Sequence, residues 1–155
     1  MVRRLLLILA PLLLGAAPAT LPEFSLAPIV PGKPGVGSAN FREGRPRLLN
    51  VFASWCAPCV AETKLLLRLQ RAGVEIDAIA VRDSGPAVYQ FLRRHGDPYA
   101  RIGDDRGGAI KALLGASGVP ESYVIDGNGR VVFHQAGDIA AEDLPRILDA
   151  LRRAQ

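Results

Sequence analysis

Val51-Phe52-Ala53-Ser54-Trp55-Cys56-Ala57-Pro58-Cys59 decides how this chain folds. It holds the only two cysteines of the 155 residues, two positions apart. An apolar run of strand composition, Leu48 to Ala53, leads in, and a helical pattern, Val60 to Leu69, leads out. A C-x-x-C pair on the first turn of a helix closes a small disulfide ring with little backbone movement. The helix N-terminus offers free N–H groups and the positive end of the dipole, both of which stabilise a thiolate. The thiolate is the attacking species in disulfide exchange, so the context points to redox chemistry. Pro58 suits this first turn, where a missing N–H leaves nothing unpaired.

Two blander readings compete. A structural zinc site needs a second such pair, or a pair with two closely spaced histidines. The remaining candidates, His95 and His134, lack that spacing. An inert structural disulfide closing so short a loop constrains the unfolded chain little. Redox function is the better reading.

From these residues the chain resembles the thioredoxin superfamily. Further segments are similar to the DsbE/CcmG-type thiol:disulfide interchange proteins of cytochrome c maturation. They are Leu48-Leu49-Asn50-Val51, Gly96-Asp97-Pro98-Tyr99-Ala100, Gly118-Val119-Pro120-Glu121 with Ser122 to Asp126, and His134-Gln135-Ala136-Gly137-Asp138. The resemblance covers about Pro22 to Leu151 and departs at Val60, where many relatives carry a basic residue. It implies an α/β, thioredoxin-like fold with a central mixed sheet flanked by helices.

Before that domain, Met1-Val2-Arg3-Arg4 is a basic start and Leu5 to Leu14 an apolar stretch. Ala17-Pro18-Ala19 reads as a small-x-small cleavage site. Residues 1–19 are therefore expected to be an export signal, or a short uncleaved anchor to the inner membrane. Residues 20–46 form a Pro/Gly-rich segment, and residues 47–155 the thioredoxin-like domain. Removing residues 1–19 lowers Lys plus Arg from 19 to 17 against 15 acids, and the net charge from +4 to +2. No nucleic-acid partner follows from so ordinary a surface. Export and a lone cysteine pair fit a working dithiol kept apart from stray disulfides.

The element pattern continues from the motif. Arg47 to Ala53 suits a central strand covered on both faces. A helix from Pro58 to about Arg71 stops at Gly73, and Val74 to Val81 reads as a parallel strand. Asp83 or Ser84 caps a helix with a stripe of Val88, Phe91 and Leu92, ended by Gly96. A short helix is expected near Gly108 to Leu114, then a strand from Ser122 to Ile125. Asp126-Gly127-Asn128-Gly129 turns the chain back along Arg130 to His134. The last helix runs to about Arg153 with Leu144, Ile147, Leu148 and Leu151 inward. Phe24-Ser25-Leu26 is expected as a short edge strand.

Cys56, nearest the helix start, is the candidate nucleophile and the more exposed thiol, and Cys59 resolves the mixed disulfide. Trp55 is expected to shield the pair, and Ala57 with Pro58 to tune its potential. The resemblance implies that Pro120 is cis and faces the disulfide, and that the backbone of Val119 pairs with substrate. It also implies that Glu62 and Glu121 form an acidic rim, although a solvated helix face and a loop charge are the plainer readings of those two residues. A nearby carboxylate disfavours the thiolate, which makes the dithiol the better reductant. Asn50 stands where general thioredoxins carry a buried aspartate, so that acid–base route is expected to be missing. His95 reads as a packing or dipole partner.

The function implied is an exported reductase of apocytochrome c cysteines, or of the maturation thiol protein that presents them. A membrane electron donor of the DsbD/CcdA type would recharge it. No cofactor and no metal are implied. A broader reductase of the TlpA/ResA kind is the first alternative. A copper-binding chaperone using Cys56, Cys59 and His134 is the second, although such folds space their cysteines one residue further apart.

Overall fold

The computed structural model describes residues 19–155, and the expected export segment lies almost wholly outside them. Five strands form one mixed sheet in the order β5-β4-β3-β6-β7. They are β3 (Arg47–Phe52), β4 (Ile76–Val81), β5 (Arg101–Asp105), β6 (Glu121–Ile125) and β7 (Val131–Ala136). The first three run parallel, with Leu48 opposite Ile76 and Asp77 opposite Arg101. β6 returns antiparallel beside β3, with Leu49 opposite Tyr123, and β7 completes a hairpin with it. The expected mixed, helix-flanked sheet is what is found.

Alternation along the strands sorts the core onto two faces. Leu48 and Phe52 of β3, Ala78 and Ala80 of β4, and Val124 of β6 face the helices. There they meet Leu66 and Leu69 of α1 (Ala57–Arg71), Val88 and Phe91 of α2 (Gly85–His95), and Ile147 and Leu151 of α4 (Leu144–Arg153). Leu49, Val51, Ile79 and Tyr123 face the other way, onto Leu21, Phe24, Val36 and Phe41 of the Pro/Gly-rich segment. Leu114, just after the short helix α3 (Ala109–Leu113), joins this second cluster. Leu148, expected inward, is only half-buried.

Helix ends follow the punctuation. Pro58 lies in the first turn of α1, Ala72 caps its end, and Gly73 takes the left-handed φ of +87° that favours glycine. Ser84 is the N-cap of α2 and accepts the Ala87 N–H.

The expected short strand at Phe24 to Leu26 is present as β1 (Ser25–Leu26), which pairs with β2 (Val36–Gly37) in a separate two-stranded ribbon. β5 is an unforeseen strand at the sheet edge, whose outer side is covered where Pro28 bridges to Gly103. A side chain at Gly103 would strike Leu26 and Val36, each 2.7 Å from its ideal Cβ. Glycine therefore allows the ribbon to lie against the sheet.

At the end of β3 remote from the cysteines, the buried Arg47 pairs with Glu43, Glu75 and Asp77. Among the described residues, no helix is long and apolar enough to cross a membrane.

Candidate active site

β3 delivers the chain to Ser54 and Trp55, and Cys56 becomes the N-cap of α1. Cys56 and Cys59 form a disulfide with their Cα atoms 5.3 Å apart. The Cys59 N–H donates to Cys56 Sγ at 3.2 Å. A backbone donor thus already points at the sulfur that would carry charge after reduction, and the helix dipole acts in the same sense. Cys56 is 5% exposed and Cys59 2%. The expected contrast in exposure is slight, and it is the cap position that separates the two sulfurs.

Across from the pair, the Val119–Pro120 peptide is cis and the Val119 carbonyl oxygen lies 3.5 Å from Cys56 Sγ. The loop leading to it is held by Glu121 at the start of β6. One carboxylate oxygen accepts the N–H groups of Ser117 and Gly118, at 2.6 and 3.0 Å, and the Ser117 hydroxyl at 2.8 Å. The other accepts the Tyr123 hydroxyl at 3.1 Å and lies 2.6 Å from His134 Nε2, whose ring stacks on Tyr123. Burial pushes the Glu121 carboxyl up, but hydrogen bonds from Gly118, His134 and Ser117 outweigh it and hold the group below its ordinary range.

Glu62, one turn beyond Cys59 in α1, is also buried; each of the two acids is 1% exposed. The expected acidic rim is therefore absent, because both carboxylates are drawn inward by donors. Asn50 Nδ2 donates to Glu62 at 2.9 Å and to Ser122 Oγ at 3.0 Å. The Ile139 N–H donates to the second Glu62 oxygen at 2.9 Å. The buried Tyr99 hydroxyl donates to Asn50 Oδ1 at 2.8 Å, which fixes the direction of the Asn50 amide. Asn50 carries a hydrogen bond to Glu62, the acid that occupies this core. Burial pushes Glu62 up to about 7 against those two hydrogen bonds, and Asp138 adds to the rise.

This shift predicts a pH effect of unusual sign. Between about 4.5 and 7 the folded protein holds a proton on Glu62 that the unfolded chain has released, so stability falls as pH rises through that window. Glu62→Gln is expected to be near neutral at pH 4.5 and stabilising by about 2 kcal/mol at pH 8. Denaturation of the oxidised protein at both pH values checks this; an equal effect at both contradicts it.

Trp55 is 62% exposed, and its indole N–H donates to the Arg82 carbonyl at 3.2 Å. Asp83 holds the preceding residue, accepting the Ser54 N–H at 2.6 Å and hydroxyl at 2.8 Å. The turn between β4 and α2 thus anchors the residues just before Cys56. Pro58 is exposed on the first turn of α1. His95 is exposed with its ring 5.1 Å from that of Phe91. His134 is directed at Glu121, and among the described residues no three His, Cys, Asp or Glu side chains group to hold a metal.

Tyr99, Ser54 and Asp83 are site residues that sequence reasoning did not single out as such. Tyr99 was visible only as part of a similar segment, and Asp83 only as a helix-cap candidate.

The Redoxin family model matches residues 16–151. The thiol:disulfide interchange protein HelX of Rhodobacter capsulatus is 37% identical over 113 residues, covering 73% of this chain and 64% of that protein. The thiol:disulfide interchange protein DsbE of Vibrio cholerae is 35% identical over 133 residues, covering 85% of this chain and 71% of its own. The crystal structure of a thiol:disulfide interchange protein of the thioredoxin family from Chlorobium tepidum superposes with a TM-score of 0.69 at 29% identity, covering 90% of this chain and 97% of that one. The chain spans 64%, 55% and 57% of three curated relatives, HelX and the DsbE proteins of Haemophilus influenzae and Pasteurella multocida. On the length of these matches and the shared fold, the chain belongs to the Redoxin family and, within it, to the DsbE-type thiol:disulfide interchange proteins.

Proposed function

We propose that this protein is an exported thiol:disulfide oxidoreductase that works in the reducing direction. Its clients are the cysteine pair of apocytochrome c or the maturation protein presenting it. A membrane dithiol donor of the DsbD/CcdA type recharges it. The observation that carries the reading is the Cys56–Cys59 disulfide at the start of α1, with the Val119 carbonyl 3.5 Å from Cys56 Sγ. The expected leader in residues 1–19, cleaved or kept as an anchor, supports action outside the cytoplasm.

In the reduced protein the Cys56 thiolate attacks one sulfur of a client disulfide. A mixed disulfide forms, and the departing client thiolate takes a proton from solvent. Cys59 then loses its proton, with Glu62 as acceptor, and attacks Cys56 Sγ. The second client thiolate leaves, the Cys56–Cys59 disulfide forms, and two electrons have passed to the client. An acid pushed up to about 7 suits that proton transfer near neutral pH. The Val119 backbone pairs with the extended client beside Pro120, while Trp55 and Pro58 flank the entry.

Competition between a disulfide-bonded C-x-x-C-H peptide and a scrambled-spacing control tests the client. The matched peptide is expected to be reduced about fivefold faster, roughly 1 kcal/mol of added recognition. Equal rates leave a reductase and remove the cytochrome-specific claim.

A further inference from the structure

We propose that the groove beside Cys56 reads an acidic side chain on the client, within two residues of its reacting cysteine, through Arg82 and Lys111. This specifies the substrate class of the reductase site proposed above and rests on that reading.

The groove has a volume of about 480 Å³ and is lined by Trp55, Arg82, Lys111 and the segment Ser117-Gly118-Val119, among others. Trp55, the residue before Cys56, and Val119, whose carbonyl oxygen lies 3.5 Å from Cys56 Sγ, both line it, which sets the groove next to where a client would be joined. An extended client sends alternate side chains to the same side, which puts neighbours of its cysteine within reach of the groove walls.

Those walls carry positive charge only. No carboxylate lines the groove among the described residues. The nearby acids are turned away by local donors. Asp83 holds Ser54, Asp105 accepts the Ile110 and Lys111 N–H groups, and Glu121 holds Ser117 and Gly118. The Lys111 ammonium is steadied by the Ala116 carbonyl at 2.7 Å, which leaves its charge uncompensated by that partner.

Arg82 is the more telling residue. It is the one non-glycine with positive φ among the described residues, at +49°. Glycine would occupy that conformation without the Cβ clash, so a large cationic side chain is retained there at a conformational cost. Such outliers gather at ligand-binding sites. Gly108 opposite makes the seat: a Cβ there would lie 3.3 Å from Arg82 Nε. A guanidinium lying along a side-chain-free stretch at a groove mouth is matched to a carboxylate.

Two disulfide-bonded C-x-x-C peptides, identical except for Glu or Gln two residues before the first cysteine, test this by rate of reduction. The reduced protein is expected to favour the Glu peptide about threefold to fivefold, less at high salt because exposed charges are screened. Arg82→Gly keeps the backbone conformation and is expected to bring the ratio close to one. Lys111→Met is expected to reduce it in part. Equal rates with the unaltered protein, or a preference that survives Arg82→Gly, overturn the acid-reading site and leave the reductase. If neither peptide is reduced, the reductase reading fails and this proposal with it.

Discussion

Cys56→Ser is expected to lower disulfide exchange by more than about a thousandfold, as loss of a nucleophile does, and to trap no client. Cys59→Ser is expected to keep the attacking sulfur and to accumulate mixed disulfides, because nothing remains to resolve them. The asymmetry has a structural cause. Cys56 caps α1 and its sulfur accepts the Cys59 N–H at 3.2 Å, while Cys59 lies inside the first turn. Helix-end stabilisation of a thiolate fades within that turn. Exposure gives no comparable contrast, at 5% and 2%. Non-reducing gels of the two variants, mixed with a disulfide-bonded client, read out the difference. Equal trapping by both would remove the division of roles.

Glu121→Ala is expected to destabilise the protein by about 3 kcal/mol, because a buried hydroxyl and several part-buried donors lose their common acceptor. That corresponds to a fall of roughly 10 °C in melting temperature for a chain of this size. The deserted donors are the Ser117 and Gly118 N–H groups, the Tyr123 hydroxyl and His134. Since the first two place Val119 opposite Cys56, client reduction should fall about tenfold or more with the lost positioning. Glu121→Gln keeps one oxygen for the loop and is expected to recover at least half of the stability. Because Glu121 is held below its ordinary range, the stability it gives is present above about pH 4.5 and is lost as pH falls through its folded value. The gap between wild type and Glu121→Gln should therefore narrow in acid. An Ala variant that melts with wild type would contradict the anchoring role.

Much of the fold was legible because the decisive signals are local. The cysteine motif, Gly73, Ser84 and the Asp126-to-Gly129 turn each act over a few residues, and each marks an element boundary that the structure keeps. β5 was not legible. Arg101-Ile-Gly-Asp-Asp is poor in strand formers, and it is a strand because β4 pairs along one side and the Pro28 region along the other. Glu62 and Glu121 were found as residues and misplaced in space. Their burial depends on Ile139, 77 positions from Glu62, and His134, 13 from Glu121. No pattern along α1 or β6 announces either partner. Asn50 was likewise read alone, and its meaning comes from Tyr99, which fixes its amide from 49 positions away.

The midpoint potential of the Cys56–Cys59 couple tests the central claim most directly. A strong oxidant stabilises its thiolate and sits near about −120 mV. Here a carboxyl pushed up to about 7 lies one turn beyond Cys59, and its charge disfavours a thiolate beside it. A potential at or below about −180 mV is expected in glutathione or dithiothreitol redox buffers. A value near −120 mV, about that of the strong oxidant, would contradict the reductase assignment.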